Sequence, residues 1–319
     1  MSFESDMLLD RLRLRRKVTT WRVIAFLLAL AGIAAAGVWA AGLERFAGAS
    51  PHIARLTISG LITGSRETQR LIESIGKSKE VAAVIVVIDS PGGTTSGSEA
   101  LHDQIRELAA KKPVVAVVNR VAASGGYIAA MGAERIFARG TSIVGSIGVI
   151  AQFPNVSKLL DNIGVQMETV RSTPLKAAPS GFEPTSPEAR RALESTIRDS
   201  YDWFRAMVKE RRKLADAELE AIADGRVFSG RQALPLKLID AIGSEKDAIA
   251  WLEKEKRIAK DLPIRDWEQR RPFLSIPFLS QAGGAARALG LESLAQMIGG
   301  DDILPLDGLL SVWQPAGQN

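Results

Sequence analysis

The fold is decided by the stretch Pro113-Val-Val-Ala-Val-Val-Asn-Arg-Val-Ala-Ala-Ser-Gly-Gly-Tyr-Ile-Ala-Ala-Met-Gly-Ala133. Residues 113–118 are a β-branched run typical of a buried strand, whereas residues 124–133 are rich in Ala and lack Pro, which favours a helix. Ser124 opens the Gly-rich turn between them. The stretch therefore predicts strand, turn and helix, with the Ser124 hydroxyl near free backbone N–H groups and the positive end of the helix dipole.

The Ser124 hydroxyl has two interpretations. An oxygen that must carry negative charge during a reaction is stabilised at this end of a helix, so Ser124 is a candidate nucleophile. The structural alternative is an N-cap, which is what most serines before helices are. The stretch alone leaves both open.

Strands and helices alternate on both sides of this turn. Residues 81–89 form a nearly continuous apolar run, which indicates a strand buried on both faces of a parallel sheet, and a helix is predicted over residues 96–112. Such alternation favours an α/β domain. We assign this domain to residues 50–260. Within it we also expect a strand over residues 165–170 and a long amphipathic helix over residues 186–213.

Composition narrows the classes of protein and site. The chain has 319 residues, of which 46% are hydrophobic and 24% charged, which is typical of a globular protein. The absence of cysteine excludes disulfides, thiolate metal sites and a cysteine nucleophile. Lys and Arg number 41 against 36 acidic residues, and no nucleic-acid motif accompanies them, so we expect no nucleic-acid partner. No metal or cofactor is predicted.

The N-terminal region predicts a single membrane anchor. Residues 1–22 are a basic tail, and residues 23–43 carry no charge over about 31 Å of helix, which is enough to cross a bilayer. Six basic residues precede this run and only Arg45 follows it closely. The positive-inside rule therefore predicts a cytoplasmic tail, one pass through the cytoplasmic membrane and an exported domain. A signal peptide cleaved near Ala47-Gly-Ala49 is the alternative.

Two glycine turns each follow a predicted strand: Ser90-Pro-Gly92-Gly93 and Ser124-Gly125-Gly126. Ligands of α/β sheets gather at the carboxyl ends of the strands, so both turns are expected to face one crevice. The N–H groups of Gly92, Gly93 and Gly125 would suit an oxyanion hole, because no side chain shields them. A phosphate cradle is disfavoured, since neither turn continues into Gly-Lys-Ser/Thr.

The nucleophile needs a base, and the chain offers few. The only histidines are His52 and His102, and His102 is predicted on a helix surface. A lysine used as the neutral amine is the alternative, as in Ser-Lys hydrolases. Lys176 suits this role because Pro174, Leu175 and Pro179 make its loop apolar. The alternative is an ordinary solvated loop lysine with no catalytic role.

Five ordered segments together resemble bacterial signal peptide peptidase A in its short single-domain form. The resemblance implies a fold similar to the Clp protease proteolytic subunit and crotonase, a β-α-β superhelix domain after one transmembrane helix. It assigns Ser124 as nucleophile, Lys176 as general base and Ser146 as the hydroxyl that holds the lysine amine. The segments are Asp89-Ser-Pro-Gly-Gly93, Ala123-Ser-Gly-Gly-Tyr127, Gly145-Ser-Ile-Gly-Val149, Ser172-Thr-Pro-Leu-Lys176 and Gly225-Arg-Val-Phe-Ser-Gly-Arg-Gln-Ala-Leu234.

The resemblance also implies substrate and assembly. Remnants of signal peptides, or other apolar extended peptides, would be cleaved at the outer face of the cytoplasmic membrane. In short members, serine and lysine meet across a subunit boundary in a homo-oligomeric ring. The chain departs from the family at Ser172-Thr173, where Ser-Gly is usual, and at Lys237-Leu-Ile-Asp240, where Gly-Leu-Val-Asp is usual. A protease with another membrane substrate and an inactive membrane scaffold remain alternatives, and residues 261–319 form an extension of unassigned role.

Overall fold

A computed structural model describes residues 20–32, 50–268 and 310–312. The chain divides into two compact units, Met1–Pro51 and His52–Asn319. In the first unit a helix, α1, spans residues 20–32. Across the described ranges no helix is both long enough and apolar enough to cross a membrane. The predicted anchor over residues 23–43 lies partly outside these ranges, as does most of the extension over residues 261–319.

The second unit begins as a regular alternation of strands and helices. Its first half contains β1 (His52–Ile62), α2 (Arg66–Lys77), β2 (Val81–Thr94), α3 (Thr95–Ala109), β3 (Val114–Ala123), α4 (Gly125–Ala130), β4 (Arg135–Ala138) and β5 (Ile143–Gly145). Its second half contains α5 (Ser157–Asn162), α6 (Pro187–Arg212), α7 (Asp216–Glu220), β6 (Val227–Ser229), α8 (Gly230–Ala233), β7 (Ala241–Ile242), α9 (Glu245–Glu255), β8 (Ile264–Trp267) and β9 (Leu310–Val312).

The described strands form one sheet in the order β6-β5-β3-β2-β1-β8, with β4 beside β3 and β7. All pairs among β1, β2, β3, β4, β5, β7 and β8 are parallel, whereas β6 and β9 pair antiparallel. The α/β prediction is confirmed. β8 shows in addition that residues beyond 260 contribute a strand to the sheet.

Both faces of the sheet are buried, as the apolar run in β2 predicts. Val84, Val86 and Ile88 face a cluster that includes the apolar side chains of α2, α3 and α4. Ala83 and Ile85 alternate with them and face a smaller cluster with α9. Successive side chains of a strand point to opposite faces of the sheet, so a strand covered by helices on both faces is apolar throughout.

The predicted strand over residues 165–170 is wrong, because the structure has irregular chain there. Val165, Met167 and Val170 are exposed, and Val170 is 102% exposed. β-propensity measures how a side chain packs on a sheet surface, and this segment has no such surface beside it in the described part of one chain. The long helix is confirmed as α6, and the large apolar side chains Phe204 and Val208 on it are fully buried.

Candidate active site

Ser124 occupies the sharp turn between β3 and α4. Its φ of 53° and ψ of −116° lie in a region that residues with side chains rarely adopt. Only 1% of the residue is exposed, and its N–H donates to the Gly145 carbonyl at 2.8 Å. The side chain makes no capping hydrogen bond to α4 and lies 3.5 Å from the Gly148 carbonyl instead. Ser124 therefore occupies the N-cap position of α4, but its hydroxyl does not cap the helix.

Ser146 lies beside Ser124 because of strand register. Ala123 pairs with Gly145 across the parallel strands β3 and β5, so each serine follows one member of that pair. Adjacent strands are about 4.8 Å apart. Ser146 has the same φ of 53°, and its N–H donates to the Arg226 carbonyl at 2.9 Å. Sheet pairing thus brings two buried serines to one edge of the sheet.

The glycine turns meet at this edge, where backbones approach closely. A Cβ on Gly93 would lie 1.9 Å from the Ile62 carbonyl oxygen, and one on Gly126 would lie 2.5 Å from that of Ser90. Gly92 has a φ of 119° and donates its N–H to Ser90 Oγ at 3.1 Å. An oxyanion role for Gly92 would require this N–H to leave Ser90, whereas Gly125 is the first residue of α4.

Lys176 lies on an exposed turn. Its backbone N–H donates to the Thr173 carbonyl at 3.1 Å, and no hydrogen bond or ion pair joins its ammonium to another residue of the described ranges. No described hydrogen bond joins the buried Ser124 to the exposed Lys176 within one chain. Side chains near it in sequence form an exposed apolar arm, which we define as residues 150–182. Its exposed members are Ile150, Phe153, Leu159, Ile163, Val165, Met167, Val170, Leu175 and Phe182.

His102 is not a surface residue of α3, as the sequence suggested, but is 7% exposed. Its Nδ1 lies 3.0 Å from an Asp103 carboxylate oxygen, and its Nε2 is buried with no hydrogen-bond partner among the described residues. Burial lowers the pKa of the imidazole, and Asp103 only partly opposes this. None of these contacts reaches Ser124, so the structure gives no support to His102 as the base.

Two supports of α4 were not anticipated from the sequence. The Tyr127 hydroxyl donates to the Leu238 carbonyl at 2.8 Å, and burial raises the pKa of this phenol. Arg211 of α6 donates from Nε to the Met131 carbonyl and from Nη2 to the Ala133 carbonyl, both at 2.9 Å. The Tyr127 contact was detectable as a polar group in an otherwise apolar helix. No sequence pattern indicated the contacts of Arg211, because its partners are backbone carbonyls about 80 positions away.

A short strand pairs with the edge of β2 beside this turn. β9 lies antiparallel to the end of β2, with Gly92 opposite Val312, Gly93 opposite Ser311 and Thr94 opposite Leu310. β3 pairs with β2 only as far as Ser90, so the edge beyond it is open to another strand. The backbone beside Ser124 can therefore hold an extended peptide by ladder hydrogen bonds.

Comparison with known proteins gives a family match. The family model described as peptidase family S49 matches residues 106–259, which include β3, Ser124 and Lys176. A protein of Synechocystis sp. that is provisionally named a protease is 38% identical over 200 residues, which cover 62% of this chain and 72% of that relative.

Two further relatives carry more specific names. The chloroplastic serine protease SPPA of Arabidopsis thaliana is 34% identical over 216 residues, which cover 67% of this chain and 32% of the relative. A protein of Enterococcus faecium provisionally named signal peptide peptidase SppA is 31% identical over 222 residues, with 65% of this chain and 64% of the relative covered. The chain thus spans less than two thirds of each of these two. Together with the buried serine turn, the matches show that the chain belongs to peptidase family S49 and is a serine protease related to SppA.

Proposed function

We propose that this chain is a membrane-anchored endopeptidase in which Ser124 attacks the peptide bond and Lys176 acts as general base. The observation that carries the proposal is the buried Ser124 turn beside an edge of β2 that pairs with an extended strand. A nucleophile held in a strained turn is pre-oriented, and a paired backbone presents its carbonyl groups in a fixed register. An extended substrate would replace β9 along Gly92–Thr94.

The proposed chemistry is acyl transfer. The neutral amine of Lys176 takes the proton from Ser124 Oγ as the oxygen bonds to the substrate carbonyl carbon. The N–H groups of Gly93 and Gly125, with Gly92 if it leaves Ser90, would stabilise the negative carbonyl oxygen. The lysine ammonium then protonates the departing amine. Water then attacks the acyl-enzyme, Lys176 takes the proton of the water, and this proton returns to Ser124 Oγ as the acid product leaves. Ser146 would hold the amine towards Ser124 throughout.

The position of Lys176 supports a site shared between two chains. The lysine is exposed, and it lies in the exposed apolar arm, residues 150–182. Soluble chains rarely leave so many large apolar side chains in one segment uncovered. A second copy that covers the arm would bring Lys176 of one chain to Ser124 of its neighbour. Head-to-tail repetition of this contact closes as a homo-oligomeric ring.

The remaining parts of the proposal are location and substrate. The uncharged residues 23–43 and the basic residues before them support an anchor in the cytoplasmic membrane with the protease domain on its outer face. External protease should digest the domain in spheroplasts, and protection until lysis would reverse the orientation. Signal peptide remnants are the proposed substrate, in keeping with the name of the Enterococcus faecium relative and with binding of extended, apolar chains.

The test uses two inactive variants. Ser124→Ala and Lys176→Ala chains should each lack peptide hydrolysis, while a mixture assembled together should regain activity, because some boundaries then contain one intact serine and one intact lysine. Separately assembled variants mixed without exchange are the control. Absence of recovery after demonstrated co-assembly contradicts a shared site, and near-normal turnover by Lys176→Ala contradicts this lysine as base.

Two alternatives give different outcomes. A serine-directed fluorophosphonate should label the parent chain but not Ser124→Ala, whereas an inactive scaffold would not be labelled at all. Peptide profiling separates signal peptide remnants from other membrane-protein substrates, because the former are apolar and short. If the chain is labelled but does not cleave signal peptides, the assignment as a protease is kept and the proposed substrate is wrong.

A further inference from the structure

The amino ends of the parallel strands form an edge of the domain opposite Ser124. We define this amino edge as four segments that lie before or at the first residues of β2, β3, β4 and β8 respectively: residues 77–81, 110–114, 134–135 and 253–263. β3 is 10 residues long, so a strand length of about 30 Å separates this edge from the Ser124 turn. None of its residues takes part in the proposed chemistry.

The amino edge is basic. It carries nine basic and five acidic residues. Lys79, Lys111 and Lys260 are exposed and have no ion pair within the described ranges, whereas Lys112 is used internally and donates to the Ser78 and Val81 carbonyls at 2.7 and 2.8 Å. The basic residues are Lys77, Lys79, Lys111, Lys112, Arg135, Lys254, Lys256, Arg257 and Lys260, and the acidic ones are Glu80, Glu134, Glu253, Glu255 and Asp261.

A shallow cleft of about 700 Å³ opens on this edge and is lined by Arg135, Ala250, Trp251, Lys254, Glu255 and Lys256. Arg135 Cζ lies 5.5 Å from the Trp251 ring centroid, and Lys256 Nζ lies 5.6 Å from it on the same aromatic side chain. Arg135 Nε is buried with no hydrogen-bond partner among the described residues. The cleft therefore combines an indole, the Arg135 guanidinium, which lacks a described counter-ion, and two lysines that are already ion-paired. Lys254 Nζ lies 3.6 Å from a Glu255 carboxylate oxygen, and Lys256 pairs with Glu134.

We propose that the amino edge docks on the surface of the membrane, with the phosphate of an anionic phospholipid in the cleft of Arg135, Trp251, Lys254 and Lys256. The Arg135 guanidinium matches the charge and hydrogen-bond acceptors of a phosphodiester, and the Lys254 and Lys256 ammonium groups would join it by exchanging Glu255 and Glu134 for phosphate oxygens. The indole suits the boundary between headgroups and water. The surrounding lysines add attraction to a negatively charged leaflet, and this attraction decreases with salt.

The chain's connectivity supports a lipid rather than a soluble phosphate as the ligand. This step rests on the proposed anchor at residues 23–43. Residues 44–51 alone separate that anchor from His52, the first residue of β1, and a segment of that length spans at most about 28 Å. The amino edge is thus the edge of the sheet that the chain reaches first after the anchor. Docking there would hold Ser124 about one strand length above the headgroups.

The experiment reads the distance of the amino edge from lipid. The chain has no cysteine, so the variants Ala259→Cys on the amino edge and Thr63→Cys after β1 at the opposite edge each accept a single fluorophore. Each full-length labelled chain is reconstituted in phosphatidylcholine vesicles, with or without about 30% phosphatidylglycerol, and with lipids that carry a headgroup quencher. Anionic lipid should increase quenching at residue 259 and leave residue 63 unchanged.

Charge variants then identify the cleft. Lys254→Gln should lower the ratio of docked to undocked protein about fivefold, the effect of one basic residue near an anionic surface. Lys246→Gln is the matched control, because it removes the same charge from the opposite end of α9 and should leave docking unchanged. Arg135→Gln should act like Lys254→Gln or more strongly. Arg135 also packs on Trp251, so its variant could fold poorly for structural reasons. Lys254 is exposed, and its variant therefore tests the cleft in that case as well.

Three results would overturn the proposal. Equal quenching of residue 259 in neutral and anionic vesicles excludes docking, and equal effects of Lys254→Gln and Lys246→Gln exclude the cleft. Selective release by millimolar inorganic phosphate, beyond that of chloride at the same ionic strength, would identify a free phosphate site instead, because headgroups beside an anchored chain are far more concentrated. Flotation with neutral vesicles tests the anchor separately, and fluorophosphonate labelling of Ser124 tests the protease.

Discussion

At the scale of single residues, close contacts between backbones constrain the active-site turn. Gly126 of α4 has no room for a Cβ, which would lie 2.5 Å from the Ser90 carbonyl oxygen. Gly126→Ala should therefore shift α4 against β2, lower the free energy of unfolding by about 2 kcal/mol or more and displace Ser124. Denaturant unfolding and fluorophosphonate labelling measure the two effects.

Gly76→Ala is the matched control for this prediction. Gly76 also lies in a helix, but its added Cβ would make an ordinary contact of 3.4 Å with the Leu108 side chain. Alanine favours a helix by up to about 1 kcal/mol over glycine, so this variant should be neutral or stabilised. If both variants unfold alike, close packing of Gly126 is not what the turn requires.

His102 should make stability depend on pH. Burial lowers its pKa from the ordinary 6.5 in the folded chain, so the unfolded chain binds a proton that the folded chain does not. The free energy of unfolding should therefore decrease as pH falls through 6.5 and stop decreasing, for this group, below the folded pKa. Asp103 favours the charged ring, whereas Arg106 and Arg211 oppose it.

Urea unfolding between pH 5 and 7.5 checks this prediction. His102→Gln has no proton to gain, so its stability should depend less on pH than that of the parent chain in this range. Subtracting the two curves removes the contribution of carboxylates, which is shared. Identical curves would contradict a buried neutral imidazole.

At the scale of elements, α6 holds the end of α4, the helix that follows Ser124. Arg211 supplies two charged hydrogen bonds to carbonyls just after α4, at sites that are mostly buried. Arg211→Met keeps the apolar stem but leaves both carbonyls unsatisfied, so it should lower the free energy of unfolding by about 2–3 kcal/mol. Arg211→Lys, which restores one donor group, should recover part of the loss. Equal stability of the Met and Lys variants would show that packing alone holds α4.

β9 occupies the edge of β2 that we propose for substrate. Ser311→Pro removes one N–H and fixes the backbone φ, which should weaken the pairing of β9 with Gly92–Thr94. An extended peptide would then bind without this competition, so KM should fall while kcat stays close to the parent value. Ser311→Ala keeps the N–H and is the control. An unchanged KM in the proline variant would mean that β9 and substrate do not share the edge.

At the scale of the whole molecule, the exposed apolar arm should decide assembly. A charge introduced at a contact between chains is costly because it must lose water. Val170→Asp should therefore convert the proposed ring to single chains, remove the activity of the proposed shared site and leave the thermal unfolding of the isolated chain nearly unchanged. Sedimentation velocity measures the first effect. Leu61→Asp, at an exposed leucine outside the arm, should keep the parent's oligomeric state.

Much of the fold and part of the site follow from local sequence. The continuous apolar run of β2 predicted a strand buried on both faces, and the Gly-rich turn predicted Ser124 between a strand and a helix. Both patterns depend on residues within a few positions of each other, whose steric and burial preferences persist in any context. The strand predicted over residues 165–170 is absent because local preference was not enough there. Its apolar residues need a surface to pack on, and the described part of a single chain does not provide one.

Other features depended on contacts between distant residues. Sheet register places Ser146 beside Ser124, two backbone carbonyls bind Arg211, and burial leaves His102 Nε2 without a hydrogen-bond partner among the described residues. The pairing of β9 with Gly92–Thr94 joins residues more than 200 positions apart. Sequence by itself determined which residues could do chemistry and where strands and helices form, because those depend on local preference. Only the tertiary structure decided which of them meet, because the pairing of strands and the packing of helices are set by the burial of the whole chain.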